Sequence, residues 1–290
     1  MDELLKINNL DVKFDTDEGR ITAVENVSLS VKQGEVLGIV GESGSGKSVT
    51  AKSIMQLNPG NTIYNEDAEI IIDGENVIKF TSKEDLKKIR GGKVSMIFQE
   101  PMASFAPAIK IGDQMVEQLL LHKNIKKEEA KSISLDMLTR VGITDTEKRF
   151  NQYAFELSGG MRQRAMIAMA LSTMPKLLLA DEPTTALDVT IQAQVLKLMK
   201  DIIKEYKMGV IFITHDLGVI AQTADQIAVM YLGCVVEKGP VNEILKNPKH
   251  PYTKGLIAAL PDVNNLDAPL KPIPGNIPSP LERPSNCVFR

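Results

Sequence analysis

The stretch from Gly41 to Ser48, Gly-Glu-Ser-Gly-Ser-Gly-Lys-Ser, constrains the fold more than any other part of this chain. It follows the apolar run 36–40 and precedes a segment that is compatible with a helix from Val49 onward. Glycines allow successive backbone N–H groups to turn inward towards phosphate oxygens, and a helix that begins there adds partial positive charge. We therefore predict a strand, a phosphate-binding loop and a helix, in preference to an ordinary surface loop rich in glycine and serine.

The chemistry of this loop predicts a nucleoside triphosphate with Mg²⁺. The ammonium group of Lys47 is expected to reach the β- and γ-phosphates, and the hydroxyl of Ser48 to ligate Mg²⁺. An aromatic residue upstream, Phe14, is a candidate to stack on the base, and ordinary packing within a strand is an equal alternative. The candidate nucleotide-binding residues of the loop are Gly41, Ser43, Gly44, Ser45, Gly46, Lys47, Ser48 and Val49.

Charge and composition exclude several classes of protein. The chain has 34 basic and 37 acidic residues, so no global positive field attracts nucleic acid, and no nucleic-acid partner is expected. Its cysteines, Cys234 and Cys287, lack the spacing of a disulfide framework or a zinc site. The N-terminus has no secretory signal pattern, and the longest apolar runs are far shorter than the ~18 residues that cross a bilayer. Any connection to a membrane is therefore expected through a partner.

Alternating apolar strands and helical segments predict an α/β fold with a mostly parallel sheet. An antiparallel β layer is expected before the loop, and an amphipathic, inserted helical subdomain at about 100–172. Ten of the fifteen prolines lie from Pro240 onward, which predicts an irregular appendage with short helices at 241–290, after a domain at 1–240. The expected strands are 10–14, 21–24, 27–31, 36–40, 69–72, 94–98, 176–180 and 210–213, and the principal expected helices are 49–58, 161–171 and 189–206.

Acidic and polar side chains follow the expected strands at their carboxyl ends, where open α/β sheets bind ligands. Asp181 and Glu182 follow the run 177–180, Gln99 ends another strand, and His215 ends a third. The pair predicts Mg²⁺ binding by Asp181, mostly through water, and orientation or deprotonation of the attacking water by Glu182. Alone, such a pair would be read as a solvated loop; together with the phosphate loop it indicates hydrolysis.

The motifs together resemble the nucleotide-binding subunit of an ABC transporter, over residues 4 to about 240. The motifs, in family order, are the phosphate loop, Gln99, Leu157-Ser158-Gly159-Gly160, Asp181-Glu182, Ala186-Leu187-Asp188 and His215. The resemblance implies a head-to-tail pair of subunits that sandwich two ATP molecules. The signature of each subunit, with Ser158, Gly159 and Gly160, then contacts the γ-phosphate that the other holds.

The same resemblance implies roles for three further residues. Gln99 senses the γ-phosphate and Mg²⁺ and passes the change to the membrane partner through residues 100–120. Asp188 lies at the subunit interface, and His215 contacts the γ-phosphate or orders the attacking water. The implied catalytic set is Glu182, His215 and Gln99, and the implied metal set is Ser48, Gln99 and Asp181.

Four segments resemble the oligopeptide, dipeptide and nickel importer ATPases more narrowly. They are GESGSGKSVT at 41–50, MRQRAMIAM at 161–169, DEPTTALDVTIQA at 181–193 and His-Pro-Tyr-Thr-Lys at 250–254. The implied partners are a second ATP-binding subunit (a sister or a copy of itself), two membrane permeases and an extracytoplasmic substrate-binding protein. The implied place is peripheral, on the cytoplasmic face of the membrane.

The chain departs from these relatives in three segments. Ser-Phe-Ala-Pro stands at 104–107 in place of Ser-Leu-Asn-Pro, and Tyr-Ala-Phe-Glu at 153–156 replaces a segment with a Pro-His pair. Relatives carry several C-terminal cysteines that bind an iron–sulfur cluster, whereas 285–290 supplies only Cys287. One thiolate cannot hold a four-cysteine cluster, so no iron–sulfur cluster is expected, and the sequence suggests a truncated C-terminus.

Three alternatives to a peptide importer remain open on the sequence. A nickel importer ATPase shares these motifs. A soluble ABC ATPase that works on ribosomes or DNA would favour tandem nucleotide domains or a basic arm. A binding-only module with a dead site is disfavoured by the presence of Lys47, Glu182 and His215.

Overall fold

The computed structural model describes residues 3–185, 187–260, 273, 275, 277–284 and 286–289. The chain divides into two compact units. The first unit contains residues 1–79 and 211–290, so it is built from both ends of the chain, and the second unit contains residues 80–210. The phosphate loop lies in the first unit, and the acidic pair 181–182 lies in the second.

The first unit opens with an antiparallel sheet of five strands, β1 (Glu3–Thr16), β2 (Gly19–Lys32), β4 (Thr62–Tyr64), β5 (Glu69–Ile72) and β6 (Glu75–Asn76). Their order in the sheet is β2-β1-β5-β6, with β4 paired to β1. Its long hairpin buries alternate apolar residues such as Leu10 and Val27, which face each other across the ladder. This alternation is typical of a sheet with one buried face.

One strand prediction in this sheet was wrong. The segments 21–24 and 27–31 were expected as separate strands, but they form the single strand β2. Asn26 adopts a left-handed backbone (φ 49°), and its N–H donates to Asp11 Oδ1 at 2.7 Å. The polar pair at 25–26 is therefore an irregularity within a continuous strand and not a turn, because the carboxylate of Asp11 on the adjacent strand accepts the N–H that leaves the ladder.

The parallel strands of the first unit carry the phosphate loop. Strand β3 (Val36–Val40) is buried at all five positions and pairs in parallel with β10 (Gln226–Tyr231), which forms a hairpin with β11 (Cys234–Pro240). On its other side, the N–H of Thr214, just after β9 (Gly209–Ile213), donates to Ile39 O. The helices here are α1 (Lys47–Ile54), α8 (Leu217–Thr223), α9 (Val241–Lys246) and α10 (Pro251–Ala258).

The second unit contains a parallel pair of buried strands and most of the helices. Strand β7 (Val94–Ile97) pairs in parallel with β8 (Leu177–Asp181), and the N–H of Gly209, at the start of β9, donates to Lys176 O. The helices are α2 (Lys83–Ile89), α3 (Ile111–His122), α4 (Lys127–Arg140), α5 (Thr146–Phe150), α6 (Gly159–Ser172) and α7 (Val189–Tyr206).

The structure confirms the α/β fold with an N-terminal antiparallel layer, a parallel sheet and a helix-rich insertion. The strand at 69–72 and the helix at 189–206 have the expected bounds. Strands β10 and β11 were not predicted. The domain boundaries at 100–172 and 240 stay predictions. Among the described residues, no helix is both long and apolar enough to pass through a bilayer.

Candidate functional site

The phosphate loop joins the end of β3 to the start of α1 and holds its lysine in a buried position. Lys47 is only 8% exposed. Its Nζ donates to the carbonyl oxygens of Gly41 and Glu42, both at 2.7 Å, and to Ser45 Oγ at 3.3 Å. A buried ammonium needs such partners, because desolvation of an unpaired charge is costly. The backbone of the loop therefore surrounds the ammonium group of Lys47.

Two glycines of the loop allow its close approach to neighbouring backbone. A Cβ on Gly41 would lie 2.2 Å from Met230 O, a distance that no real Cβ tolerates. Gly46 has φ 95°, which disfavours other residues, and a Cβ there would lie 2.7 Å from Ala23 O. The path of the loop against the neighbouring strands thus requires glycine at both positions.

The loop has the properties of a site for a phosphate group. Helix α1 begins at Lys47 with Gly46 as its N-cap and no side-chain cap. The partial positive charge at such a helix N-terminus favours an anion. Ser43 and Gly44 are exposed, and Ser48 and Val49 are half-buried at the helix start. A buried cation, an uncapped helix N-terminus and glycine backbone fit the phosphates of a nucleotide.

Two other candidate residues lie in the first unit. Phe14 is half-buried in β1 and pairs with Ile21 and Thr62, so both base stacking and ordinary strand packing remain open. His215 is exposed, two residues after the end of β9. Its neighbour Asp216 caps α8 by accepting from the N–H groups of Gly218 and Val219, which fixes the chain that carries the histidine.

The second unit places the acidic pair at the carboxyl end of β8. Asp181 is the last residue of the strand and is 3% exposed. Glu182 follows with a left-handed backbone (φ 47°), a conformation that costs on the order of 1–3 kcal/mol in a non-glycine residue. Such strain persists where the surroundings over-determine the position.

The structure brings together Gln99 and Glu182, which lie at the carboxyl ends of the paired strands β7 and β8. Gln99 Nε2 donates to Glu182 Oε2 at 3.3 Å, and Thr185 Oγ1 donates to the same oxygen at 3.2 Å. Gln99 itself is exposed at the end of β7. The Glu182 carboxylate is thus oriented by two neutral donors, one from the end of β7 and one from the turn that follows β8.

The sequence reasoning missed Gln163, which supports the acidic pair from α6. This side chain is fully buried, and its Nε2 donates to the carbonyl oxygen of Pro183, next to Glu182. A polar residue on the buried face of a helix, in register with Met166, Ile167 and Ala170, was the signal that could have revealed it.

The signature residues form an exposed helix N-terminus. Ser158 is the N-cap of α6, as predicted, and its Oγ accepts from the N–H of Met161 at 3.3 Å. Leu157 is buried and anchors the turn, whereas Ser158 and Gly159 are exposed. A Cβ on Gly159 would meet no atom within 4 Å, so this end of α6 is open to a ligand or a partner.

Asp188 is the N-cap of α7, and its Oδ1 accepts from the N–H of Ile191 at 3.0 Å. The neighbouring Ala186 lies outside the described residues. Val189, which begins the helix, is 84% exposed. The Asp188 carboxylate therefore caps a helix in this chain, in addition to the interface role that the resemblance implies.

Replacing Asp188 by alanine is expected to lower the free energy of unfolding by about 1 kcal/mol, because one N-terminal N–H of α7 loses its partner. Thermal denaturation should show a decrease of about 2–4 °C for a chain of this size. Asp188→Ser retains a capping oxygen and should unfold close to the wild-type temperature. Equal losses in both variants would argue against the capping role.

The described residues contain no group of three or more His, Cys, Asp or Glu side chains placed to hold a metal ion. Mg²⁺ is commonly bound in nucleotide sites by one or two protein ligands, with water and phosphate oxygens completing the shell. Ser48, Gln99 and Asp181 offer oxygen ligands of the kind that Mg²⁺ takes. The expectation about the iron–sulfur cluster stays a prediction; of its segment, Ser285 and Arg290 lie outside the described residues.

Two protein families match the sequence. The family described as "ABC transporter" matches residues 24–185, and "Oligopeptide/dipeptide transporter, C-terminal region" matches residues 236–290. The first match contains the phosphate loop, Gln99, the signature and the acidic pair. The second contains the C-terminal segment that the sequence analysis treated as an appendage.

Curated relatives align along nearly the whole chain. "Oligopeptide transport ATP-binding protein OppD" of Bacillus subtilis is 49% identical over 287 residues, which are 99% of this chain and 80% of the relative. "Dipeptide transport ATP-binding protein DppD" of the same organism is 47% identical over 289 residues, covering 100% of this chain and 86% of the relative.

Solved structures show the same fold. The ATP-binding cassette MJ0796, described as a dimer in a post-hydrolysis state bound to ADP and Pi, is 28% identical, with a TM-score of 0.73. The comparison covers 82% of this chain and 98% of that one. The protein cbiO1 from Clostridium perfringens, described as part of the ABC transporter complex cbiONQ, is 26% identical, with a TM-score of 0.70 over 85% of this chain and 92% of that one.

Proposed function

Because the chain belongs to the ABC transporter family of ATP-binding subunits, we propose that it binds and hydrolyses ATP to drive import of peptides across a membrane. The observation that carries the peptide assignment is the match of residues 236–290 to the C-terminal region of oligopeptide and dipeptide transporters. Relatives named for oligopeptide and dipeptide transport, 47–49% identical, support it. The alternative, import of nickel, is distinguished from import of peptides by the uptake experiment described below.

The phosphates of ATP are assigned to the loop at 41–48. Lys47 supplies the positive charge, and the N–H groups at the start of α1 donate to the phosphate oxygens. We assign Ser48, Asp181 and Gln99 to Mg²⁺, which when bound neutralises charge that develops on the phosphates. Phe14 is the candidate partner of the base.

Hydrolysis is assigned to Glu182, with support from Gln99 and His215. Glu182 orients or deprotonates the attacking water, which general-base catalysis requires at hydrogen-bond distance from a carboxylate. The donors from Gln99 and Thr185 to Oε2 hold this carboxylate in place. His215, exposed after β9, is assigned to the γ-phosphate or the attacking water.

A second ATP-binding subunit is proposed to complete each site in a head-to-tail dimer. The exposed N-terminus of α6, with Ser158, Gly159 and Gly160, offers N–H donors that no side chain of Gly159 obstructs. MJ0796, a structural relative, is described as dimeric. Asp188, at the exposed start of α7, is assigned to the same interface. Whether the partner is a sister subunit or a copy of this chain is decided by co-purification.

Two permeases and an extracytoplasmic binding protein are the remaining proposed partners, with the chain at the cytoplasmic face of the membrane. Exposed apolar side chains of the second unit support a docking surface for the permeases on that unit. Met102 and Ile109 are 48% and 41% exposed, and Phe155 is 62% exposed and stacks on Tyr153. Tyr153 and Phe155 belong to the segment that departs from the relatives. The permease that binds this chain is therefore expected to present a matching apolar surface.

Uptake in proteoliposomes tests the proposal. The chain, its sister subunit, both permeases and the binding protein are reconstituted, and uptake of labelled peptides and of ⁶³Ni²⁺ is followed with ATP on the side of the ATP-binding subunits. We expect ATP-dependent peptide uptake and hydrolysis that rises when peptide-loaded binding protein is added. Uptake of nickel and not of peptides would replace the substrate assignment, and hydrolysis without any association with permeases would favour a soluble ABC ATPase.

A further inference from the structure

The second residue of the phosphate loop, Glu42, is held through both of its backbone groups. Its carbonyl oxygen accepts from Lys47 Nζ at 2.7 Å and from the N–H of Ser45 at 3.2 Å. Its N–H donates to the phenol oxygen of Tyr252 at 3.1 Å, a residue 210 positions away in the chain. The first two contacts are internal to the loop, whereas the third comes from the C-terminal segment.

Tyr252 is itself rigidly placed at the start of α10. The residue is fully buried, and its ring lies 4.6 Å from the ring of Tyr231 and 5.5 Å from that of Phe289, between centroids. His250 is the N-cap of α10, and its Nδ1 accepts from the N–H of Tyr252 at 3.2 Å. A phenol fixed by helix, cap and aromatic packing offers its oxygen at a defined point.

The hydroxyl of Tyr252 stays neutral in its buried place. Burial raises its pKa to about 12, and the hydrogen bond from the N–H of Glu42 only partly offsets this. A neutral oxygen accepts from an amide without adding negative charge beside bound phosphates. The side chain can therefore restrain the loop without opposing the binding of an anion.

Ring packing alone does not account for this side chain. Phenylalanine would fill the same aromatic cluster, and what the hydroxyl adds is the hydrogen bond that it accepts from the N–H of Glu42. A second contact from outside the loop, from the N–H of Gly233 to Ser45 O at 3.0 Å, restrains the loop three residues further on. The loop is thus held at both 42 and 45 before any phosphate arrives.

We propose that Tyr252 is a positioning residue for the phosphate loop. Its hydroxyl accepts from the N–H of Glu42 and fixes this end of the loop, so that the N–H groups nearer α1 are preorganised towards phosphate oxygens. The inference rests on the proposed role of the loop in binding ATP. Preorganisation raises affinity because less ordering is required at binding. It makes the C-terminal segment part of the nucleotide-binding apparatus.

The first test removes only the hydroxyl. Tyr252→Phe is expected to raise the Kd for ATP about threefold to tenfold, as loss of one hydrogen bond implies. The matched control is Tyr231→Phe, which removes a hydroxyl from the same aromatic cluster without removing the contact to Glu42, and it should bind ATP like the wild type. Affinities are measured well below the melting temperature of each variant. Unchanged affinity in Tyr252→Phe would overturn the proposal, as would an equal loss in Tyr231→Phe.

The second test needs no nucleotide and therefore separates this inference from the proposed function. In the wild-type protein without nucleotide, NMR-detected amide exchange is expected to be slow at Glu42, because its N–H is bonded to a buried oxygen. In Tyr252→Phe the exchange at Glu42 should accelerate, while that of Ile39 in β3 stays unchanged. Fast exchange at Glu42 in the wild type would overturn the inference even if the loop binds ATP. Absence of ATP binding by the wild type would overturn the proposed function, and slow exchange at Glu42 would then show a restraint on the loop that serves no nucleotide.

Discussion

Replacing Glu182 by glutamine is expected to lower steady-state ATP hydrolysis about a hundredfold or more, with ATP binding unchanged, because removal of a general base costs about 10²–10⁴ in rate. Glutamine preserves the size of the side chain and an oxygen that can accept from Gln99 and Thr185, the two donors seen at Oε2. It cannot take a proton from water. The expected defect therefore lies in the chemical step and not in the geometry of the site.

Phosphate release by the assembled transporter measures this effect, and a fluorescent ATP analogue measures binding. Glu205→Gln, an exposed position on α7, is the matched control and should hydrolyse ATP at the wild-type rate. Wild-type turnover by Glu182→Gln would show that another group acts on the water. A loss of binding that matched the loss of turnover would show that Glu182 acts on the nucleotide and not on the water.

Lys47→Ala is expected to weaken ATP binding about tenfold to a hundredfold, because hydrogen bonds to charged groups contribute roughly 1.5–3 kcal/mol. The change removes the buried charge that the loop presents, together with the donors to Gly41 O and Glu42 O. Both losses are expected to lower the affinity for ATP. Hydrolysis should fall with binding at low ATP concentration.

Equilibrium titration with ATP measures this loss, with the melting temperature recorded to ensure that the variant is folded. Lys52→Ala is the control on the same helix, since this half-buried lysine lies beyond the first turn of α1. It should leave the Kd for ATP unchanged. If Lys47→Ala bound ATP as the wild type does, the loop could not be the phosphate site.

Features with a local pattern were predictable from the sequence. Strand β3, the loop and the helix after it follow from the apolar run 36–40, the spaced glycines and the Lys47-Ser48 pair that ends the pattern. The helix itself begins at Lys47, two residues before the expected Val49. The N-cap role of Ser158 followed from a serine before a helical run. These elements depend on neighbours in sequence, so one short window contains the information.

Features that depend on distant contacts were missed. The bulge at Asn26 needs Asp11 of the adjacent strand, and the burial of Gln163 needs the carbonyl of Pro183. The contact between Tyr252 and Glu42 spans 210 positions, and no local pattern around either residue indicates the other. Composition marked the C-terminal segment as proline-rich and irregular, and composition says nothing about what such a segment packs against.

The first unit, made from residues 1–79 and 211–290, has a consequence for synthesis on the ribosome. The phosphate loop is translated early, but β10, β11 and Tyr252 follow much later. At about 5–20 residues per second, the 210 positions between Glu42 and Tyr252 take roughly 10–40 s to translate. During that interval the nascent chain has its phosphate-binding motif without the strands and the phenol that hold it. A chain released before α10 is complete would therefore carry the full motif and lack the contact that shapes it.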